Sequence, residues 1–247
     1  MDSPVAEKPR VLVFGAVDVT GPEAARRLIR QPKTFFVLAY LLLARPRGLQ
    51  SRDRLIALFW PDQDDTRARG SLRATLHVLR ESLGADSIIR EGDTHVGIDR
   101  RFVSCDAIDF DAEIEAGHLA RALDLYRGPL LDQFYGESPA ADHWLDQERE
   151  HFRSAAGDAA WTLAGRYEQD ADLTHAARWA RRAAKLAGPD ERRIRKVMTL
   201  LDAAGDRAGA IKVYDDFSRY LSSTLDVEPS AETQAQADAI RAGNRPS

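Results

Sequence analysis

The chain has 247 residues, of which 44% are hydrophobic and 30% charged, so it can form one large or two small domains with a packed core. Its single cysteine, Cys105, excludes an intrachain disulfide and a cysteine-rich zinc site. A lone cysteine also favours a reducing compartment, and the longest apolar run, residues 35–44, is too short to span a bilayer. Composition therefore predicts a cytoplasmic protein with no membrane partner.

The net charge of −4 is divided unevenly along the sequence. Residues 1–104 contain 17 basic and 13 acidic side chains, a net charge of +4, whereas residues 105–247 contain 18 and 26, a net charge of −8. A basic segment joined to an acidic one is typical of a DNA-binding module that carries a separate surface for a partner. Because the positive charge is modest, we expect one copy to bind DNA weakly and with a strong dependence on salt.

Two short strands and two helices are predicted first in the chain. Apolar residues indicate a strand at 11–15, and residues 17–19 continue the same small sheet. A strongly apolar helix follows at 33–44. A second helix is predicted at 52–59, with Ser51 as its N-cap.

The most informative segment is a third predicted helix, at residues 66–83. Its leucines recur at i, i+4, i+7 and i+11 and form one apolar stripe, which consists of Leu72, Leu76, Leu79 and Leu83. A second stripe beside it consists of Arg69, Arg73, His77 and Arg80. A helix anchored by leucines and carrying exposed arginines suits the DNA major groove, because arginine pairs bidentately with guanine or reaches a phosphate. A surface helix with solvated arginines is the alternative interpretation.

A β-hairpin is predicted directly after this helix. Gly84 ends the helix, and two short alternating segments at 87–90 and 94–98 flank a turn at 91–93. Strands, three helices and a hairpin in this order predict an α+β winged helix-turn-helix domain over residues 1–104. In that fold the third helix enters the major groove and the hairpin forms the wing.

Eleven side chains are therefore candidates for DNA contact. Base or phosphate contacts are expected from Arg69, Arg73 and His77, and phosphate contacts from Arg67 and Arg80. The starts of the two earlier helices would contact the DNA backbone through Lys33, Thr34, Ser51 and Arg52. The hairpin would reach the minor groove or phosphates through Arg90 and His95.

Residues 105–247 are predicted to form a second, all-α domain. Helices are predicted at 109–126, 138–169, 173–187, 190–204, 207–223 and 230–242. Two segments, 172–180 and 206–214, align at an offset of 34 residues, which is the tetratricopeptide period. Ala176 and Ala210 would be the small residues that let paired helices approach closely. This pattern predicts a tetratricopeptide-like helical-repeat domain, whose groove suits a peptide, a partner helix or a second copy.

Motifs for catalysis, metal binding and cofactor binding are absent from the sequence. It contains no P-loop, no His-Glu-x-x-His pair and no Gly-x-Ser-x-Gly elbow. The six histidines are scattered, and the acidic clusters at 62–65 and 106–111 lack the spacing of an EF-hand loop. We therefore expect no catalytic residue, no metal ion and no cofactor.

Six short motifs occur in order between residues 10 and 241. They are Ser51-Arg52-Asp53-Arg54-Leu55-Ile56, Leu58-Phe59-Trp60, Ala68-Arg69-Gly70-Ser71-Leu72-Arg73, Leu79-Arg80-Glu81-Ser82-Leu83-Gly84, Leu125-Tyr126-Arg127-Gly128-Pro129-Leu130-Leu131 and Ala208-Gly209-Ala210-Ile211-Lys212-Val213-Tyr214. As an ordered set they resemble the Streptomyces antibiotic regulatory protein (SARP) family of bacterial transcription activators. Members combine an OmpR-type winged helix with a bacterial transcriptional activator domain (BTAD).

Two positions depart from the family pattern. Gly70 stands in the predicted groove helix where members often carry a larger polar residue, and it lowers helix propensity and removes one side-chain contact. In the wing, Thr94-His95-Val96 replaces the usual Gly-Tyr signature.

The resemblance implies an activator of transcription that binds specific sequences in double-stranded DNA. It implies a homodimer or side-by-side copies on direct repeats near a promoter −35 region, and recruitment of RNA polymerase holoenzyme through its sigma factor. It further implies that the turn between the second and third helices contacts polymerase, through Trp60, Asp62, Asp64 and Asp65. A solvated turn is the alternative interpretation of those four residues.

Three other functions remain open from the sequence. The chain could be a helical-repeat interaction scaffold or ligand sensor whose winged helix binds protein, and replacing Arg69 and Arg73 would then leave partner binding unchanged. It could be a repressor with the same fold, which the sequence does not distinguish from an activator. An enzyme would require a pocket with convergent polar groups, which no motif indicates.

Overall fold

The computed structural model describes residues 8–186, 188 and 190–243. The chain divides into two compact units, Met1–Phe152 and Arg153–Ser247, so the predicted boundary at residues 104 and 105 lies inside the first unit. Residue 187, the last of the predicted helix 173–187, lies outside the described residues. None of the helices in the described part of the chain has both the length and the apolar character needed to cross a membrane.

The first unit begins with a small three-stranded sheet. Its strands are β1 (Arg10–Leu12), β2 (Asp18–Thr20) and β6 (Ser104–Cys105), in the order β2-β1-β6. Strand β1 pairs antiparallel with β2 and parallel with β6, so Val11 lies opposite both Val19 and Cys105. Burial raises the pKa of Cys105 to about 12, so this thiol stays protonated and unreactive at neutral pH.

The predicted strand at 11–15 ends early because a buried carboxylate captures its backbone. The amides of Val13 and Phe14 donate to the Asp106 carboxylate at 2.9 and 3.3 Å instead of to a neighbouring strand. Burial raises the pKa of Asp106, and these two hydrogen bonds oppose that rise. Strand β6 brings Asp106 to this position, and its two residues are too few for sequence periodicity to detect.

Four helices and a second sheet complete the predicted DNA-binding segment. The helices are α1 (Glu23–Arg26), α2 (Pro32–Leu43), α3 (Arg52–Phe59) and α4 (Asp65–Leu83). The sheet is antiparallel, in the order β3-β5-β4, with β3 (Gln50–Ser51), β4 (Ile88–Glu91) and β5 (His95–Ile98). Helix α1, which continues into a 3-10 turn at Arg27–Arg30, and strand β3 were not predicted from the sequence. The predicted hairpin is confirmed, and β3 extends it by one strand.

Helix α4 is fixed by its cap, its apolar stripe and its last residue. Asp64 is the N-cap, and its carboxylate accepts a hydrogen bond from the Arg67 amide at 3.0 Å. The predicted leucine stripe is confirmed, because its four members are between 0 and 6% exposed. Gly84 ends the helix with φ of +105°, a conformation that a side chain would strain.

The first three helices of the predicted second domain begin in the first unit. They are α5 (Asp106–Glu115), α6 (Leu119–Leu125) and α7 (Pro139–Gln169), the last of which continues into the second unit. The single helix predicted at 109–126 is therefore wrong. Gly117, with φ of +75°, separates α5 from α6, because a left-handed residue cannot continue a right-handed helix.

Aromatic packing joins these helices to the N-terminal sheet and to α2. The Phe14 ring lies 5.6 Å from Phe110, 4.9 Å from Tyr126 and 5.1 Å from Phe152, measured between centroids. A second pair, between Tyr40 of α2 and Trp144 of α7, lies at 4.7 Å. Because these rings are buried, they hold residues 8–152 together as one core.

A cluster of charged side chains reinforces the same packing. Asp111 of α5 contacts Arg45 at 3.1 Å and His151 at 3.7 Å, and it also binds Arg47. Burial alone would raise the pKa of Asp111, but the hydrogen bond from His151 and the charges of Arg47 and Arg45 hold it below its usual value. Glu148 lies 3.5 Å from Arg45, and burial raises its pKa.

The second unit contains four further helices that pack in sequence order. They are α8 (Leu173–Leu186), α9 (Glu191–Ala203), α10 (Arg207–Leu225) and α11 (Ala231–Ala242). Two features repeat at the predicted offset of 34 residues. Asp172 and Asp206 accept hydrogen bonds from the amides of His175 and Gly209 at 3.1 and 2.9 Å, and the following residues, Ala176 and Ala210, are fully buried. The two segments therefore begin their helices in the same way.

We expect Gly70→Ala to raise the free energy of unfolding by about 0.5–1 kcal/mol, because alanine loses less conformational entropy in a helix. No heavy atom of a described residue outside the local helix backbone lies within 4 Å of the position that the new methyl group would take. Urea denaturation measures the change. The matched control is Ala74→Gly, at an exposed position of the same helix, which should lower stability by a similar amount. A destabilised Gly70→Ala protein would contradict this account of α4.

Asp111→Asn should destabilise the protein by about 2 kcal/mol at pH 7, because Arg45 and Arg47 lose a charged acceptor. A lowered carboxyl pKa contributes stability above its unfolded value and loses it as the pH falls through the folded value. The difference from wild type should therefore be complete at neutral pH and vanish in acid. Melting temperatures between pH 7 and pH 2 test this, with the exposed Asp124→Asn as control. A difference that persists unchanged in acid would contradict it.

Candidate nucleic-acid interface

An open groove of about 530 Å³ lies between α3, α4 and the β4–β5 hairpin. We call it the arginine groove, and its lining residues are Arg52, Ile56, Arg69, Leu72, Arg73, Leu76, His77, Arg80, Arg90 and Asp93. Five of these residues are arginines, whereas one is acidic. The groove is therefore strongly electropositive and suited to a polyanion.

Helix α4 supplies most of the positive charge in the groove. Arg69, Arg73, His77 and Arg80 are all exposed, on the side of the helix that the buried leucines leave free. The leucines and the arginines occupy different faces because both sets repeat at the helical period. The structure therefore brings together the second stripe predicted from the sequence, and it adds Arg52 and Arg90 from other elements.

Arg69 is held by two carboxylates. Its guanidinium lies 2.9 Å from Asp65, one turn earlier in α4, and 3.1 Å from Asp53 in α3. The hydrogen bond and charge of Asp65, followed by the charge of Asp53, raise the pKa of Arg69 above its ordinary value. The two carboxylates thus favour one orientation of this side chain and offset part of its positive charge.

Unlike Arg69, three other arginines of the groove have no carboxylate partner among the described residues, and they are Arg73, Arg80 and Arg90. Arg73 and Arg80 lie on α4, and Arg90 lies on β4. Their charges are available to an external anion.

Arg52 occupies an unusual position at the first residue of α3. Its amide donates to the carbonyl of Thr94 at 2.8 Å, which joins the helix to the hairpin. Its side chain is half-buried, and its Nε has no hydrogen-bond partner among the residues that the structure describes. Burial lowers the pKa of Arg52, and the positive charges of Arg90 and Arg73 lower it further, against the opposing effect of Asp93.

Five predicted contact residues lie outside the groove lining, and four of them are accessible at least in part. Arg67 is exposed on α4. Lys33 binds Glu137 at 3.2 Å, and its amine lies 5.2 Å from the centroid of the Trp60 ring. Ser51 is the N-cap of α3, and His95 shares a hydrogen bond of 3.0 Å with the Thr94 hydroxyl.

Burial corrects two sequence predictions. Thr34 is 9% exposed, and its hydroxyl lies 3.4 Å from the Gln31 side chain, so it is not available to DNA. Trp60 is 5% exposed and packs against Phe59, so it cannot serve as a surface contact for polymerase. An amphipathic ring at the end of a helix contributes more by packing into the core than by exposure.

The three predicted acidic contacts of the same turn are exposed but not equivalent. Asp64 caps α4, and Asp65 binds Arg69. For Asp62 the structure gives no hydrogen bond or ion pair within the residues it describes. Asp62 is therefore the acidic side chain of this turn that can be changed without disturbing α4.

Sequence reasoning missed a second basic patch, formed by Arg26, Arg27 and Arg30. All three are exposed, and Arg27 binds Glu23 at 2.6 Å. Their spacing of i, i+1 and i+4 is the available signal, because it places them on one side of a helical turn. Helix α1 packs against α4, so the patch belongs to the same unit as the arginine groove.

No group of three or more histidine, cysteine, aspartate or glutamate side chains in the described ranges is arranged to hold a metal ion.

Comparisons with known proteins place the chain in a family. The family model for the bacterial transcriptional activator domain matches residues 107–241, which is more than half of the chain and confirms the predicted resemblance there. The solved structure of EmbR from Mycobacterium tuberculosis, in complex with a low-affinity phosphopeptide, matches 98% of this chain and 67% of that chain, with a TM-score of 0.66 and 18% identity. That likeness shows a shared fold, while the comparison with curated proteins gives no match. The chain belongs to the bacterial transcriptional activator domain family, whose members are transcription regulators and not enzymes.

Proposed function

We propose that this protein is a sequence-specific DNA-binding activator of transcription that works in the bacterial cytoplasm. The observation that carries the proposal is the arginine groove, where five arginines from three elements meet one acidic residue. Neutralising backbone phosphates with arginine supplies much of the affinity of proteins for duplex DNA. Membership of a family of transcription regulators supports the same function.

Residues 1–104 act as a winged helix-turn-helix domain in this proposal. Helices α2, α3 and α4 followed by the β4–β5 hairpin have the order of that fold, and α4 carries the exposed arginines expected of a recognition helix. The matched family segment starts at residue 107, which supports a functional boundary near residues 104 and 105. The repeated Asp and Ala positions of α8 and α10 support a tetratricopeptide-like arrangement for the helical part.

The presence or absence of a carboxylate partner distinguishes the proposed roles of the basic side chains. His77 is exposed in the middle of α4 and carries no carboxylate partner in the described structure, so we assign a base contact to it. Arg73, one turn earlier on the same face, is assigned to a phosphate. Arg69, which Asp65 and Asp53 hold in place, contributes a preoriented contact at the start of the same helix. Arg67, Arg80, Lys33, Ser51 and His95 are assigned to phosphates, which fix position without reading sequence.

Activation requires partners beyond DNA. We propose that copies bind side by side, or as a homodimer, on direct repeats, because one module with a net charge of +4 binds weakly. The acidic turn at residues 62–65 would contact the sigma factor of RNA polymerase, since exposed carboxylates suit a basic patch.

Fluorescence anisotropy against the DNA upstream of the protein's own gene, at two salt concentrations, tests the DNA assignment. We expect Arg69→Ala combined with His77→Ala to weaken specific binding by about 1–3 kcal/mol for each lost base contact and to reduce the preference over a scrambled duplex. Arg54→Ala, at an exposed arginine of the same unit outside the groove, is the matched control and should retain the preference. Equal binding to every duplex, unchanged in the double variant, would contradict the proposal and favour a protein partner.

Asp62→Lys should separate activation from DNA binding. Because Asp62 neither caps α4 nor pairs with Arg69, the variant should bind DNA at least as well as wild type. In a reconstituted transcription assay we expect activation to fall roughly fivefold, the effect of losing about 1 kcal/mol of contact with polymerase. Asp124→Lys makes the same charge change at another exposed position and should activate normally. Full activation by Asp62→Lys would rule out Asp62 as the polymerase contact.

A further inference from the structure

We propose that Arg52, Arg73 and Arg90 form a cradle that grips one and the same phosphate of the DNA backbone. This inference rests on the proposed DNA binding and adds a defined anion site to it. The three residues come from α3, α4 and β4, so one anion would tie together all three elements that surround the groove.

The positions of the three side chains support a shared ligand. All three line the arginine groove. Burial, and then the charges of Arg90 and Arg73, lower the pKa of Arg52, so the three guanidinium groups lie within electrostatic reach of one another. Like charges assembled in a partly buried groove repel unless an anion lies between them. A phosphate supplies that anion and accepts several guanidinium hydrogen bonds at once.

The other charged side chains near the groove do not neutralise the three cradle arginines as a bound anion would. Asp93, in the turn of the hairpin, partly offsets the charge of Arg52 but forms no ion pair with it in the described residues. Asp53 and Asp65 are already engaged with Arg69. His77 and Arg80 line the same groove and add no negative charge. The cradle therefore holds an excess of positive charge in the free protein.

Of the three cradle arginines, Arg52 is the one that the surrounding structure holds in place. Its amide hydrogen bond to Thr94 at 2.8 Å fixes the start of α3 against the hairpin, and its buried Nε has no acceptor among the described residues. A buried donor without a partner is rare in folded proteins, and an anion bound in the groove is one way to complete it. A phosphate in the cradle would supply the missing acceptor.

Removing one of the three arginine charges should change the stability of the free protein and its affinity for DNA in opposite directions. Removing a cradle charge relieves repulsion in the free protein, so Arg52→Gln, Arg73→Gln and Arg90→Gln should each melt at or above the wild-type temperature. Each should bind DNA about tenfold more weakly and equally on specific and scrambled duplexes, because a phosphate contact carries no sequence information. Each should also reduce the slope of log K against log salt by about 0.9.

The decisive experiment combines these variants with duplexes in which a single phosphate is replaced by a neutral methylphosphonate. If the cradle is correct, one methylphosphonate position weakens wild-type binding and abolishes the further effect of all three substitutions. Arg54→Gln, at an exposed position two residues from Arg52 and outside the groove, should show no coupling to that position. Coupling of the three arginines to different phosphates, or a changed sequence preference in any variant, would overturn the cradle.

A measurement without DNA separates this inference from the proposed function. Inorganic phosphate should raise the melting temperature of the wild-type protein, and Arg52→Gln should lose that effect. If no duplex binds but the phosphate effect persists, the cradle stands and the DNA assignment is wrong. If phosphate acts equally on wild type and Arg52→Gln, the cradle is wrong whatever the DNA result.

Discussion

The burial of one leucine stripe is the constraint on which the rest of the first unit depends. Leu72, Leu76, Leu79 and Leu83 are almost completely removed from water, and this fixes the rotation of α4 about its own axis. Because side chains three or four positions apart share a face, burying the leucines forces the intervening arginines outward. The same residues that stabilise the helix thereby direct its charge toward α3 and the hairpin.

Charge pairing then divides the arginines into two kinds. Arg69 has two carboxylate partners, so it is oriented before any ligand arrives. Arg73 and Arg90 have no such partner in the described structure, and the half-buried Arg52 lies close enough for their charges to lower its pKa. Functional sites often accept unfavourable electrostatics of this kind, because the cost is recovered when the ligand binds. An excess of unpaired positive charge in a formed groove is therefore a stronger indication of an anion ligand than net charge, which is negative for the whole chain.

The first unit also shows why a functional boundary and a packing boundary need not coincide. Residues 107–152 belong by family match to the activator domain, yet Phe110, Tyr126 and Phe152 complete an aromatic core around Phe14. Asp111 adds charged contacts to Arg45 and Arg47. Apolar residues of both segments are buried in one core, so the boundary between the two compact units falls only after residue 152. The start of the activator domain is in this sense part of the same packed unit as residues 8–104.

Local patterns in the sequence determined most of the helices, the hairpin, the 34-residue repeat and the arginine stripe, because each depends on periodicity or turn chemistry within a few residues. The family resemblance came from the same local motifs. Tertiary structure alone decided which residues the groove includes, since Arg52 and Arg90 join Arg73 through packing between elements far apart in the chain. It also decided that Thr34 and Trp60 are buried, that Asp53 reaches Arg69, and that two residues at 104–105 form a strand. Burial and charge pairing are sums over neighbours distant in sequence, and no pattern within a short segment contains them.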